Sequence, residues 1–171
     1  MSNMYGRWSQ GFPGCLLWGV ILLFAVGVSS AQPLVNTTPA PTASERTVQA
    51  QSFAAERLSF WQGRLGLQDW KISVEVVRAS ELKPHTLGNV HWDRDRKTAV
   101  IRVLDPVDYH LPAPEVLPDI EFTVVHELLH LELAPALAPL QRNDADRREE
   151  EHAVNQIAAA LLRLDRGKEQ K

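Results

Sequence analysis

The chain has 171 residues, a formal net charge of −3 and 44% hydrophobic residues. That length admits one ordinary domain with a leader or tail, and the apolar content is enough for a packed core. The mildly acidic balance, without any long run of Lys or Arg, argues against a nucleic-acid binder working through bulk basicity.

Residues 1–31 read as a leader. Arg7 is the only charge before Glu45, residues 15–28 are apolar throughout, and Ser29, Ser30 and Ala31 are the small residues a signal peptidase accepts. The expectation is a signal peptide cut after Ala31 and an exported domain, periplasmic or extracellular. The alternatives are a membrane anchor, since residues 12–31 form a charge-free stretch of about the 20 residues a bilayer crossing needs, or a start placed too far upstream. Cys15, the only cysteine, lies in this leader, so the domain itself has no disulfide. Residues 32–44 are rich in Pro, Thr and Ala without apolar periodicity and read as a flexible linker.

The domain is expected to span residues 45–166, with 167–171 as a polar tail. Val48, Phe53, Ala54, Leu58, Trp61 and Leu65 recur at spacings near three and four, predicting a packing helix that begins after Ser44 as cap and ends at Gly66. Residues 70–77 alternate apolar and polar as a half-buried strand does. Residues 88–92 and 98–104 flank a charged turn at 93–97, a β-hairpin pattern, with His91 directed to solvent or a cross-strand neighbour. Residues 105–118 contain four prolines and are expected to be largely irregular, lining the approach to the segment that follows. Within them, Tyr109 or His110 is a candidate donor to a developing oxyanion.

Residues 122–133 read FTVVHELLHLEL, a helix apolar on nearly every side that nonetheless carries His126, Glu127 and His130. Residues four apart share a helix face, so the two imidazoles can aim at one point about 2 Å from each, the distance zinc requires. Glu127, one residue past His126, is turned off that point but within reach of a water there, whose proton a carboxylate can take. This is the HExxH arrangement. Its apolar neighbours make an unliganded imidazole pair costly, which favours a metal site over a chance match.

A catalytic zinc site needs a third protein ligand. The extended pattern HExxHxxGxxH is excluded, because Glu132 stands at its glycine and Ala136 at its third histidine. Pro135 and Pro139 are expected to end the helix, and a last helix to run from about Asp146 to Asp165. With Val154, Ile157, Ala158 and Leu161 marking its buried face, a rotation of about 100° per residue turns Glu150 and Glu151 inward and Glu149 and His152 outward. Geometry leaves both glutamates open and slightly prefers Glu150.

HELLH at 126–130, followed by Glu151, Asn155 and Ala158 in an ExxxN arrangement, resembles the zincin metallopeptidases of the ImmA/IrrE type, whose pattern is HExxH and then ExxAN. Trp61, Leu65, Gly66, Trp70, Gly88 and the Asp105-Pro106 turn also resemble small SprT-like metallopeptidases. Val154 stands where the ExxAN pattern has alanine. The resemblance implies His126, His130 and Glu151 as zinc ligands and Glu127 as general base. The expected fold is α+β, a minimal zincin-like domain with an N-terminal helix, a small, mainly antiparallel three-stranded sheet, the HExxH helix and a closing C-terminal helix. The expected function is zinc-dependent hydrolysis of peptide bonds in a peptide or protein substrate that adds to a sheet edge. The alternatives are a catalytically silent, zinc-stabilised binding or regulatory module and a hydrolase of another bond.

Overall fold

The structure, a computed structural model, describes residues 40–169. The expected leader at 1–31 and residues 32–39 of the expected linker lie outside the described residues, as do 170 and 171 of the expected tail. Among the described residues, no helix is long and apolar enough to cross a membrane.

Three helices and a three-stranded sheet follow in the order α1 (Ala43–Arg64), β1 (Lys71–Val77), β2 (Gly88–Asp93), β3 (Thr98–Leu104), α2 (Ala113–Leu137) and α3 (Asp144–Glu169). This is the α+β layout the sequence suggested. The sheet order is β1-β3-β2, with β3 antiparallel to β2 but parallel to β1. It is therefore mixed where a mainly antiparallel sheet was expected. Residues 78–87 carry the chain from β1 past the central position to the far edge, and the hairpin returns β3 into the gap alongside β1.

Helix α1 starts at Ala43, and its cap lies two residues before the expected Ser44. Thr42 caps it, its hydroxyl accepting from the Glu45 N–H while Glu45 accepts from the Thr42 N–H, which satisfies two otherwise orphaned donors. The helix ends as expected: Gly66 takes a φ of 76°, the left-handed conformation that glycine adopts without a side-chain penalty. Ala50, Ala54, Leu58 and Trp61 form its buried stripe, whereas Val48 is exposed.

The two proline-based expectations are corrected. Residues 113–118 are helical and Pro135 lies inside α2. Pro112 sits at the N-cap and Pro114 in the first turn, where the missing N–H has no intrahelical acceptor to lose. Pro118 and Pro135 each forfeit one backbone bond in a helix that burial of Val116, Ile120, Val124, Val125, Leu128 and Leu131 holds in place. Helix α3 begins at Asp144, two residues early, because the Asn143 side chain accepts from the N–H groups of Ala145 and Asp146. It also continues to Glu169, through the start of the expected tail.

The helices are tied by buried charge. Glu121 on α2 accepts from Trp61 Nε1 at 2.8 Å and Arg57 Nε at 2.7 Å, both on α1. Asp165 on α3 pairs with Arg64 at 2.5 Å.

The two sheet edges differ. Along β1, the Gln51 side chain donates to Val74 O at 2.8 Å and accepts from Val76 N at 2.9 Å, filling the unpaired backbone groups of that edge. At β2, the Leu104 N–H donates to Leu87 O. Alternation along the ladder then turns the backbone groups of Asn89, His91 and Asp93 inward to β3 and those of Gly88, Val90 and Trp92 outward.

Candidate metal centre

Helix α2 presents His126 and His130 one turn apart, and α3 crosses it so that Glu151 meets both. His126 Nε2 lies 3.0 Å from His130 Nε2. Glu151 Oε2 lies 3.3 Å from His126 Nε2, and Glu151 Oε1 3.3 Å from His130 Nε2. Donor atoms bound at about 2.0–2.1 Å to a tetrahedral ion sit about 3.3–3.4 Å from one another. The carboxylate presents a different oxygen to each ring at nearly that separation, and one donor atom from each residue lies within 4.8 Å of the others, so His126, His130 and Glu151 form a group that can hold a metal ion.

The far nitrogens of both rings have partners. His126 Nδ1 lies 3.1 Å from Asn155 Oδ1, and His130 Nδ1 lies 3.1 Å from Glu150 Oε1. Both oxygens can accept, so a proton on each Nδ1 would be satisfied there and would leave the two Nε2 lone pairs for a cation. Two lone pairs at 3.0 Å repel, and a cation between them and the Glu151 carboxylate would relieve the repulsion. Burial, and then the adjacent His130, hold His126 below its ordinary value of 6.5, favouring the neutral ring a metal requires.

Glu127 is 7% exposed. Burial, and then the charge of Glu151, push its carboxyl up to about 8. It lines the same cleft as the three candidate ligands, a cavity of about 900 Å³ walled on one side by residues 85–92 and on the other by α2. Gly88 allows the close approach of these walls. A Cβ at Gly88 would stand 2.4 Å from Thr123 Cγ2, 2.7 Å from Arg102 O and 3.6 Å from Glu127 Oε1.

The structure thus brings together His126, Glu127, His130 and Glu151. Of the two glutamates left open by helix geometry, Glu151 faces both Nε2 atoms, whereas Glu150 meets the outer nitrogen of His130 and pairs with Arg142. Tyr109 and His110 do not line the cleft. Tyr109 packs into the core, where burial and then Asp119 raise its phenol well above the ordinary range, and His110 is exposed. His91 is exposed, as expected, on the β2 wall.

Sequence reasoning assigned no role to Arg142 or to the amide of Asn155, although Asn155 lies four residues beyond Glu151 and so shares its helix face. Comparison with protein-family models, with curated proteins and with solved structures found no match.

Proposed function

We propose that the chain is a zinc-dependent metallopeptidase whose ligands are His126, His130 and Glu151 and whose general base is Glu127. The observation that carries this is the convergence of two imidazoles and a carboxylate at 3.0–3.3 Å, beside a buried glutamate in an open cleft. Two nitrogens and a carboxylate oxygen are a donor set that suits zinc. Bound there, zinc would polarise a scissile carbonyl and make a water molecule more acidic.

The chain's own residues supply the rest. Glu127, shielded from solvent, takes one proton from the attacking water as its oxygen bonds to the carbonyl carbon. It returns that proton to the amine nitrogen as the C–N bond breaks. Burial and then Glu151 raise the proton affinity of Glu127, and the charge of a bound cation would offset part of that rise, leaving a carboxylate that can take a proton and return it. Asn155 and Glu150 keep the two rings in the tautomer and orientation that ligation needs.

Among the described residues no strand pairs with the outer edge of β2, and that edge supports an extended peptide as substrate. Gln51 fills the edge of β1, while Gly88, Val90 and Trp92 turn their backbone groups toward the open side of β2, whose residues wall the cleft. A strand added there would run past Glu127.

The test is Glu127→Gln with turnover and bound zinc measured together on a peptide library and a panel of esters and amides. A peptidase loses about 100- to 10,000-fold in turnover on peptides and keeps its zinc. Undiminished function in Glu127→Gln would point to a zinc-stabilised binding module, and turnover confined to the ester panel would point to a hydrolase of another bond.

A further inference from the structure

The connection between α2 and α3 holds Arg142, whose guanidinium pairs with Glu150 Oε2. The other oxygen of the same carboxylate, Oε1, meets His130 Nδ1 at 3.1 Å. Arg142, Glu150 and His130 therefore form one chain of charge-assisted contacts, running from a loop to a candidate ligand. His126 is held differently, by the neutral amide of Asn155.

We infer that Arg142 is a positioning residue for the metal centre, acting through Glu150 on His130. This rests on the metal-centre reading above and adds a residue that touches neither the metal nor the substrate. A glutamate side chain has three rotatable bonds, and Glu150 stands in a row with Glu149 and Glu151, whose like charges favour its swinging to solvent. Arg142 counters that row and fixes Glu150 with one oxygen against the ring. The Glu150 side chain is only 16% exposed and Arg142 28%, so water screens the pair less than it would at the surface.

A carboxylate on the outer nitrogen raises the donor strength of the ligating nitrogen and fixes the ring's direction, and loss of such a partner typically costs 10- to 100-fold in metal affinity. Arg142 would share in that effect because it holds the carboxylate in place. The contribution is one-sided, falling on His130 and leaving His126 to Asn155.

The experiment measures zinc affinity of the full chain by competition with a chromophoric chelator, together with the visible absorption of the cobalt(II)-loaded protein. The variants are Arg142→Gln, Arg142→Lys, Glu150→Gln, the Arg142→Gln/Glu150→Gln double variant and Glu151→Gln. Arg142→Gln and Glu150→Gln are expected each to keep one equivalent of zinc with affinity reduced about 10- to 100-fold and an altered cobalt spectrum. The double variant should be little weaker than Glu150→Gln alone, since both changes break the same chain of contacts, and Arg142→Lys should recover part of the loss. Melting of the metal-free proteins separates a merely structural role, which would lower their stability without moving the cobalt spectrum.

Unchanged zinc affinity in Arg142→Gln, or additive losses in the double variant, would overturn the inference while leaving the metal centre intact. Loss of zinc in Glu150→Gln with retention in Glu151→Gln would make Glu150 the ligand and overturn it too. A wild-type chain that binds no zinc would remove the metal-centre reading itself.

Discussion

Substitution of Glu127 by Gln should stabilise the metal-free protein at alkaline pH. The carboxyl ordinarily titrates at 4.5 and is pushed up to about 8 by burial and by Glu151. The folded state therefore holds a proton that the unfolded chain gives up, and stability falls as pH rises. The stabilising contribution is fully present below 4.5, declines between 4.5 and about 8, and is gone above the upper value. At about 1.4 kcal/mol per pH unit across that interval, the ceiling is about 5 kcal/mol. Glutamine stays neutral, so the two proteins should be nearly equal in stability at pH 5 and should diverge toward that ceiling at pH 9. His126, held below 6.5, contributes the opposite slope as it loses its proton, but it does so in both proteins and largely cancels in the comparison. Urea denaturation in the presence of chelator, with both proteins at both pH values, reads the difference directly. A gap between them that does not change from pH 5 to pH 9 would refute the claim that Glu127 is buried without a counter-charge.

Three further outcomes are expected. Glu121→Ala leaves the buried Trp61 N–H and Arg57 without their acceptor, and should cost about 3–5 kcal/mol in urea denaturation. Gln51→Ala removes two hydrogen bonds from the β1 edge and should cost about 1–3 kcal/mol, with faster amide exchange at Val76 measured by NMR. Gly88→Ala drives a Cβ against Thr123 and Arg102 O and should cost about 1–3 kcal/mol or more. Since the contact is at the cleft, its effect on peptide turnover should exceed that of an equally destabilising change at Gln51.

The hairpin was legible because 88–92 and 98–104 are bounded by a charged turn, and α1 because its apolar spacing runs up to a terminal glycine. The HExxH residues were legible because a fixed spacing of four on any helix gives a shared face. What the sequence concealed were matters of neighbours. Proline content suggested an irregular 105–118, but local propensity is overridden when Val116 and Ile120 are buried against the rest of the core. The parallel pairing of β1 with β3 depends on where the hairpin inserts, which strand patterns do not encode.

Helix α3 shows most plainly why the third ligand stayed ambiguous. Counting Ile157 and Leu161 as core centres the buried stripe near Glu150. In the structure Ile157 is 42% exposed and the stripe is Val154, Ala158, Leu162 and Asp165, a centre about 45° further round the helix, which brings Glu151 to the edge facing the two Nε2 atoms although its side chain stays 56% exposed against 16% for Glu150. Asp165 was hidden because a charged residue is not read as core until its partner, here Arg64, is known. The role of Arg142 was equally hidden, since only the folded connection brings it to Glu150.

Zinc binding at equilibrium, measured for the wild-type chain beside His126→Ala and Glu151→Gln, tests the central claim most directly. One equivalent of zinc should bind the wild-type protein, and each substitution should weaken that binding by well over about 100-fold, beyond what loss of an outer contact produces. A wild-type chain without stoichiometric zinc, or a Glu151→Gln variant that binds it as tightly as wild type, would contradict the assignment.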